Sequence, residues 1–158
     1  MRHTKEALEW IVKILRQEKI PFRIIGGLAA ELYGSRRKLA DIDIDVPGSR
    51  IRPLAKEVNK YIIFGPKAYH DRHWDLLLMT LRYKGQVIDI CSGDHTKIFD
   101  HTAKKWLLLR TDFKKSKMKY FDGLRLPVEP EGELLDYKRK LGRKVDRIDV
   151  RQLEKGLK

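Results

Sequence analysis

Hydrophobic positions recur along this chain with two different spacings, and each spacing predicts a different kind of element. Apolar residues three and four positions apart predict helices, over residues 4–18, 28–33 and 51–60, from 134 to 141, and in a last segment through 153. Alternating or short apolar runs predict strands, at residues 22–25, 41–46, 61–64, 74–83, 86–91, 118–120 and 124–128. Residues 95–110 fit neither pattern. The order of elements predicts an α+β fold with a mixed or antiparallel sheet and flanking helices.

Short turn sequences connect the predicted elements. Lys84-Gly85 and Asp122-Gly123 each separate two strand-like runs, which is typical of β-hairpins. No repeat, low-complexity linker or change of composition divides the chain. We therefore expect one domain over residues 1–158, with a core over 1–128 and a helical segment over 129–158.

The charge balance favours polyanionic partners. Lys and Arg number 35 against 22 Asp and Glu, which gives a formal net charge of +13. RNA, DNA or a nucleotide triphosphate would suit such a surface, although charge networks that stabilise proteins at high temperature produce the same balance. No apolar run is long enough to cross a membrane, so we expect a cytoplasmic protein. Cys91 is the single cysteine, which excludes an internal disulfide.

The run Asp41-Ile42-Asp43-Ile44-Asp45-Val46 carries the strongest chemical signal. On a strand, alternate side chains share a face, so the three carboxylates point away from the core-facing apolar residues. Like charges this close repel one another, and a cation relieves that repulsion. Carboxylate oxygens are the ligands that magnesium prefers. An exposed strand face kept soluble by acids is the alternative interpretation.

Three motifs in succession carry a resemblance to a known family. Gly26-Gly27, then Gly34-Ser35-Arg36-Arg37, then Asp41-Ile42-Asp43-Ile44 resemble the signature of the DNA polymerase beta-like nucleotidyltransferase superfamily. The form of the motifs is similar to the branch that contains abortive-infection-type toxins and small antibiotic-modifying nucleotidyltransferases. Leu39 stands where that branch usually has threonine.

The resemblance implies a role for each matching residue. Asp41 and Asp43 would hold catalytic Mg²⁺ or Mn²⁺ ions. Gly26, Gly27 and Ser35 would hold the phosphates of an NTP, since glycine at the start of a helix lets phosphates approach backbone N–H groups. Arg37, four residues before Asp41, would supply positive charge.

The superfamily also uses a third acid on a later strand. Asp89, between Ile88 and Ile90, matches this position and would bind metal and take the proton of the attacking hydroxyl. A strand-end carboxylate satisfied by nearby N–H groups is the alternative interpretation, and Asp75 is the second candidate for the third acid.

The C-terminal segment resembles the closing helices of the same toxin-like branch. Lys138 matches a lysine that contacts the nucleotide phosphates there, although a solvated lysine on a helix surface is the alternative. Asp146 and Asp149 are interpreted as helix-surface acids or as local partners of Arg143 and Arg147.

Together these features predict an Mg-dependent nucleotidyltransferase that moves an NMP from an NTP to an acceptor hydroxyl. Lysine-rich stretches interleaved with aromatic residues favour RNA such as a tRNA as the acceptor; the aromatic residues are Trp106, Phe113, Tyr120 and Tyr137. The toxin-like resemblance implies a cognate antitoxin or toxin protein as a further partner. Three alternatives stay open: transfer to a small molecule or a protein, a non-catalytic member of the fold, and a plain basic RNA-binding domain.

Overall fold

The structure, a computed structural model, describes residues 3–156. Its helices are α1 (Thr4–Gln17), α2 (Gly26–Leu32), α3 (Gly48–Glu57), α4 (Glu131–Leu141) and α5 (Lys144–Gly156). Its strands are β1 (Arg23–Ile25), β2 (Ile42–Val46), β3 (Ile62–His70), β4 (Trp74–Tyr83), β5 (Gln86–Ser92), β6 (Thr96–Asp100), β7 (Lys105–Leu109), β8 (Lys117–Phe121) and β9 (Leu124–Val128). The expected α+β class is confirmed.

All nine strands of the described chain belong to one mixed sheet. Eight follow the order β7-β6-β4-β5-β2-β1-β9-β8, and β3 pairs with the other edge of β4. The pairs β2–β5 and β1–β9 are parallel, and the remaining pairs are antiparallel. This order places β2 next to β5, so the two strands that carry the candidate acids are direct neighbours.

The alternation of β2 divides apolar from acidic side chains between the two faces of the sheet. Ile42, Ile44 and Val46 are fully buried in the core, together with the apolar stripe of α1. Successive strand residues point to opposite faces, so Asp43 and Asp45 project from the other face. Burial of the aliphatic side chains fixes the register of β2 and therefore the side on which its acids lie.

Two parts of the chain differ from the sequence-based expectation. The strand expected over 61–64 continues to His70, because a register irregularity between Phe64 and Lys67 carries the pairing with β4 past Gly65-Pro66. Residues 95–110, which the pattern left unassigned, form the β6–β7 hairpin. Lys105 to Leu109 lack clean alternation of apolar and polar side chains, which explains why no strand was predicted there.

The C-terminal helices pack against each other and against earlier elements. Gly142 ends α4 in the left-handed conformation, with φ 60°, and its N–H donates to the carbonyl of Lys138. α4 packs on α5, α2 and β6, and α5 also packs on α2. Within residues 3–156, no helix combines the length and apolar character needed to cross a membrane.

Candidate active site

The three acids singled out in the sequence line one cavity of about 870 Å³. Asp43 on β2 lies opposite Asp89 on β5 in the parallel register. Neighbouring strands run about 4.8 Å apart, so side chains at the same register position on the same face stand close together. Asp41, two residues before Asp43, lies on the same side of the chain. The sheet therefore brings Asp41, Asp43 and Asp89 together.

Burial, with a smaller contribution from neighbouring carboxylates, raises the pKa of Asp43 and of Asp89. Burial, followed by the charges of Asp89 and Asp41, raises the pKa of Asp43 to about 8. Burial also raises the pKa of Asp89, and the charge of Asp41 adds to this. The hydroxyl of Thr80 donates to Asp89 Oδ1 at 2.6 Å and partly opposes the rise. A nearby positive charge would stabilise the ionised forms of Asp43 and Asp89.

Two further acids considered in the sequence have different surroundings. Asp45 also lines the cavity, but its Oδ2 accepts a hydrogen bond from Thr111 Oγ1 at 2.6 Å, and burial raises its pKa to about 6. Asp75 lies on β4 between Trp74 and Leu76, which both line the cavity, so it projects from the opposite face. Asp89 is therefore the acid of the later strands that meets Asp43.

Gly26 is packed so closely against Asp43 that a larger residue would displace the carboxylate. Gly26 has φ +66°, and a Cβ added there would lie 2.5 Å from Asp43 Oδ2. A Cβ added at Gly27 would lie 2.9 Å from Arg37 Nη2. Non-glycine residues adopt positive φ only with strain, so both conformation and space select glycine at position 26.

Glu129, which was not predicted as a site residue from the sequence, stabilises the turn at Gly26 through a hydrogen bond. Its carboxylate accepts the N–H of Gly26 at 3.0 Å, and its backbone carbonyl accepts the Tyr33 hydroxyl at 2.8 Å. Glu129 is 3% exposed, and burial, with the charge of Asp45, raises its pKa to about 8. The Gly26 N–H was expected to face a phosphate, but it is engaged with this side chain. The contribution of Gly26 is therefore the space it leaves beside Asp43.

The cations expected to meet the nucleotide are held by a buried acid of α5. Asp149 accepts hydrogen bonds from Arg37 Nε at 3.0 Å and Arg37 Nη2 at 2.9 Å, and it pairs with Lys138 Nζ at 3.0 Å. Lys138 also contacts Asp146 at 3.2 Å. Arg37 and Lys138 line the cavity, although Lys138 is only 2% exposed. The alternative of a solvated lysine is wrong at this position.

Ser35 does not reach the cavity as expected from the sequence. Its hydroxyl donates to Asp149 Oδ1 at 2.7 Å, the residue is 5% exposed, and it is not among the residues that line the cavity. Ser35 therefore acts on Arg37 through their shared partner Asp149.

Asp146 and Asp149 of α5 are not surface residues. Asp146 and Asp149 are fully buried, and both lie on the α5 face that also buries Leu153. Asp146 pairs with Arg143 Nε at 2.6 Å, so the expected local partner is present. The spacing of three residues between the two acids is the sequence signal that places them on one helix face.

Two cavity residues have roles that the sequence did not predict. Arg143 lines the cavity beside Trp74, with its guanidinium carbon 5.8 Å from the indole centroid, and its charge lowers the pKa of Asp43. Tyr137 was expected to stack nucleic-acid bases, but it is 8% exposed and packs edge-on against Trp74 at 6.3 Å. Burial excludes it as an open stacking platform.

Comparison with solved structures finds the same fold in proteins of low sequence identity. A Thermotoga maritima protein proposed to be a nucleotidyltransferase superposes with a TM-score of 0.70 at 19% identity, over 97% of this chain and 93% of that chain. The lincosamide antibiotic adenylyltransferase LnuA, bound to lincomycin, gives 0.61 at 13% identity, over 94% and 95% of the two chains. ANT(2'')-Ia in complex with adenylyl-2''-tobramycin gives 0.60 at 16% identity, over 99% and 91%.

Sequence comparisons give no further relative. The chain matches no family model, and no curated protein matches it. The structural similarity covers almost the whole chain and shows that it has the nucleotidyltransferase fold. The expected resemblance to nucleotidyltransferases is confirmed at this level.

Proposed function

We propose that this protein transfers a nucleoside monophosphate from an NTP to an acceptor hydroxyl. The observation that carries the proposal is the register pair Asp43–Asp89, which with Asp41 faces a cavity lined by cations. In the reaction, a bond forms between the acceptor oxygen and the α-phosphorus, and the bond from that phosphorus to pyrophosphate breaks. The acceptor loses its proton, and the pyrophosphate leaves with the electron pair of the broken bond.

Asp89 is assigned the role of positioning and deprotonating the acceptor. The Thr80 hydroxyl fixes Oδ1 of Asp89 at 2.6 Å, and Oδ2 of the same carboxylate is assigned the hydroxyl proton. Burial raises the pKa of Asp89 in the metal-free protein, and a cation beside it would make the acceptor hydroxyl more acidic, which favours proton transfer to the carboxylate.

The acids also fit a divalent cation. Hard carboxylate oxygens suit magnesium or manganese, and a cation would offset both the burial and the neighbouring charges that raise the pKa of Asp43 and of Asp89. Asp41, Asp43 and Asp89 would hold the ions, which supply charge neutralisation and a more acidic acceptor hydroxyl. Within residues 3–156 no group of three or more His, Cys, Asp or Glu side chains is arranged to hold an ion by itself. Magnesium commonly takes only one or two protein carboxylates and fills its shell with water and phosphate oxygens.

Arg37, Lys138 and Arg143 are assigned the phosphates of the NTP. All three line the cavity, and Asp146 and Asp149 hold them in place. Cations fixed before the substrate arrives stabilise developing negative charge without reorganising during the reaction. Gly26 and Gly27 also line the cavity and are assigned to the same phosphates, and their missing Cβ atoms let Asp43 and Arg37 lie close to the turn.

RNA, for example the end of a tRNA, is the acceptor we favour. The net charge of +13 supports a polyanionic substrate. A small-molecule acceptor is the second candidate, because two of the structural neighbours carry antibiotics in their complexes. Acids at the cavity wall, such as Asp71, Glu133 and Asp136, would attract a cationic acceptor of that kind. A cognate antitoxin or toxin and a cytoplasmic location stay predictions.

Label transfer tests this proposal. Each NTP, labelled in the α-phosphate, is incubated with protein, magnesium and either total RNA or a small-molecule acceptor such as tobramycin or lincomycin. Wild type should label one acceptor class, and the double variant Asp41→Asn/Asp43→Asn should label none. Asp122→Asn, in the exposed β8–β9 turn, is the matched control and should behave as wild type. Absence of label in every acceptor, with no magnesium-dependent NTP binding, would favour the non-catalytic alternative.

A further inference from the structure

Five aromatic and imidazole rings form a continuous line at the β7 end of the sheet. Their centroids follow one another from His70 to Trp106 (5.3 Å), Trp106 to Phe99 (5.6 Å), Phe99 to His101 (5.5 Å) and His101 to His73 (5.4 Å). We call these five residues the ring line. The proposed reaction gives the ring line no role.

The sheet itself positions the ring line. Phe99 on β6 and Trp106 on β7 are direct partners in the antiparallel register, so their rings lie side by side on one face. His70 ends β3, and His73 and Phe99 are joined by a backbone hydrogen bond of 3.0 Å from the Phe99 N–H. Three of the five residues therefore lie on paired strands, and His73 and His101 lie in the turns beside them.

Three of the five rings in the ring line are exposed to solvent, and the other two are half-buried. Trp106 is 38% exposed, and His70 and His101 are also exposed. Leu108, next to Trp106 on the same face, is 51% exposed. β7 is the last strand of the sheet order. Exposed large apolar side chains on an edge strand mark a surface that meets a partner.

Positive charge surrounds these rings. Lys97, on the same face of β6 as Phe99, and Lys104 and Lys105, which precede Trp106, are all exposed. Of the nearby acids, Asp100 is buried and accepts the N–H groups of its own turn. Asp75 lies across from Lys97 in the register and offsets part of the charge. Rings that offer flat faces beside several lysines are the combination that single-stranded nucleic acids bind, through base stacking and phosphate contacts.

One end of the ring line lies at the rim of the cavity. The N–H of His101 donates to the carbonyl of Lys140 at 2.9 Å, and Lys140 lines the cavity. His73 precedes Trp74, another cavity residue, over which Arg143 lies. A strand following the rings toward His73 would reach the cavity at this rim.

We propose that the ring line, with Lys97, Lys104 and Lys105, binds a single-stranded segment of RNA and delivers its terminal hydroxyl to the cavity. The contacts described above support the ring line as a binding surface, whereas delivery of the hydroxyl rests on the proposed nucleotidyl transfer. Bases stack on Trp106 and its neighbouring rings, and the lysines contact the phosphates.

Fluorescence anisotropy with a labelled single-stranded RNA of about 12 nucleotides tests this surface. Trp106→Ala should weaken binding roughly tenfold, since one base stacked on an aromatic ring accounts for about 5- to 100-fold in affinity. Trp106→Phe, which keeps a ring, should restore most of the affinity. Met118→Ala is the matched control, because Met118 is a large apolar side chain without a ring, 41% exposed beside lysines on β8, at the opposite end of the sheet. It should leave affinity unchanged.

The outcomes separate this inference from the proposed function. Equal losses in Trp106→Ala and Met118→Ala, affinity insensitive to salt between about 50 and 200 mM, or no binding of RNA would overturn the ring line as an RNA site. Binding of a protein at the ring line, without binding of RNA, would also contradict the proposal. If Asp41→Asn/Asp43→Asn and wild type bind RNA alike but neither transfers label, the ring line stands and the proposed transfer fails. If wild type labels RNA while Trp106→Ala keeps full affinity, the transfer stands and the ring line fails.

Discussion

Asp149 on α5 receives two hydrogen bonds from the guanidinium group of Arg37, at 3.0 Å from Nε and 2.9 Å from Nη2. Arg37 belongs to the loop before β2, and 112 positions separate the two residues along the chain. The same carboxylate also holds Lys138 on α4. One buried acid of the last helix therefore fixes the two cations that we assign to the NTP phosphates.

Asp149→Asn should destabilise the protein strongly. The substitution keeps the shape of the side chain but leaves Arg37 and Lys138 without their shared negative partner in the interior. Breaking a buried ion pair from one side typically costs about 3–5 kcal/mol. Urea denaturation monitored by circular dichroism measures the free energy of unfolding.

The exposed pair Arg139–Glu154 provides the control for this prediction. Its atoms lie 2.7 Å apart, but the side chains are 53% and 45% exposed. Glu154→Gln should therefore cost less than about 1 kcal/mol. A loss for Asp149→Asn as small as that for Glu154→Gln would contradict the role of Asp149.

Gly26→Ala should remove NTP binding through steric conflict with Asp43. Its Cβ would lie 2.5 Å from Asp43 Oδ2, so the carboxylate has to move. Gly123→Ala is the control, because Gly123 also has positive φ (+84°) but a Cβ there meets nothing within 4 Å. Both variants should share the backbone strain, measured as lost stability. Only Gly26→Ala should weaken magnesium-dependent NTP binding in equilibrium dialysis, by at least about tenfold, which corresponds to 1.4 kcal/mol. Equal NTP affinities would show that the turn is not part of the site.

The titration of Glu129 should make the free energy of unfolding depend on pH, and Glu129→Gln should remove this dependence. Burial raises its pKa from 4.5 to about 8 in the folded protein. Because the pKa is higher in the folded state, protonated Glu129 contributes its full stabilisation of the fold below pH 4.5. This stabilisation is lost as the pH rises through about 8. Glutamine keeps a carbonyl for the Gly26 N–H without titrating.

Wild type should therefore lose stability relative to Glu129→Gln as the pH rises from about 5 to about 9. The difference in the free energy of unfolding should change by at least about 1.4 kcal/mol, the equivalent of one pKa unit. Denaturation in metal-free buffer at both pH values measures it. A constant difference, or one that changes in the opposite direction, would show that Glu129 is ionised in the folded state throughout this range.

Local pattern predicted the part of the site that lies on strands. The alternation in residues 41–46 was sufficient to place Asp43 opposite the core, and the position of Asp89 between isoleucines placed it on the equivalent face of β5. Both inferences depend only on the two-residue period of a strand and the burial of its apolar side.

Long-range partners determined the rest and left little trace in the sequence. Ser35 was expected beside a phosphate, yet its hydroxyl reaches Asp149, 114 positions away. Glu129 became a site residue only because β9 lies parallel to β1 and brings it to Gly26. The rings of β6 and β7 come together through strand pairing in a segment whose pattern predicted no element.

Nucleotidyl transfer at Asp43 and Asp89 can be distinguished from other reactions of an NTP by the fate of the γ-phosphate. The protein is incubated with magnesium, acceptor and NTP labelled in the γ-phosphate, and the products are separated by thin-layer chromatography. Wild type and Asp122→Asn should release labelled pyrophosphate, and Asp43→Asn should release none. Label released as orthophosphate or carried to the acceptor, or pyrophosphate released equally by Asp43→Asn, would contradict nucleotidyl transfer at this site.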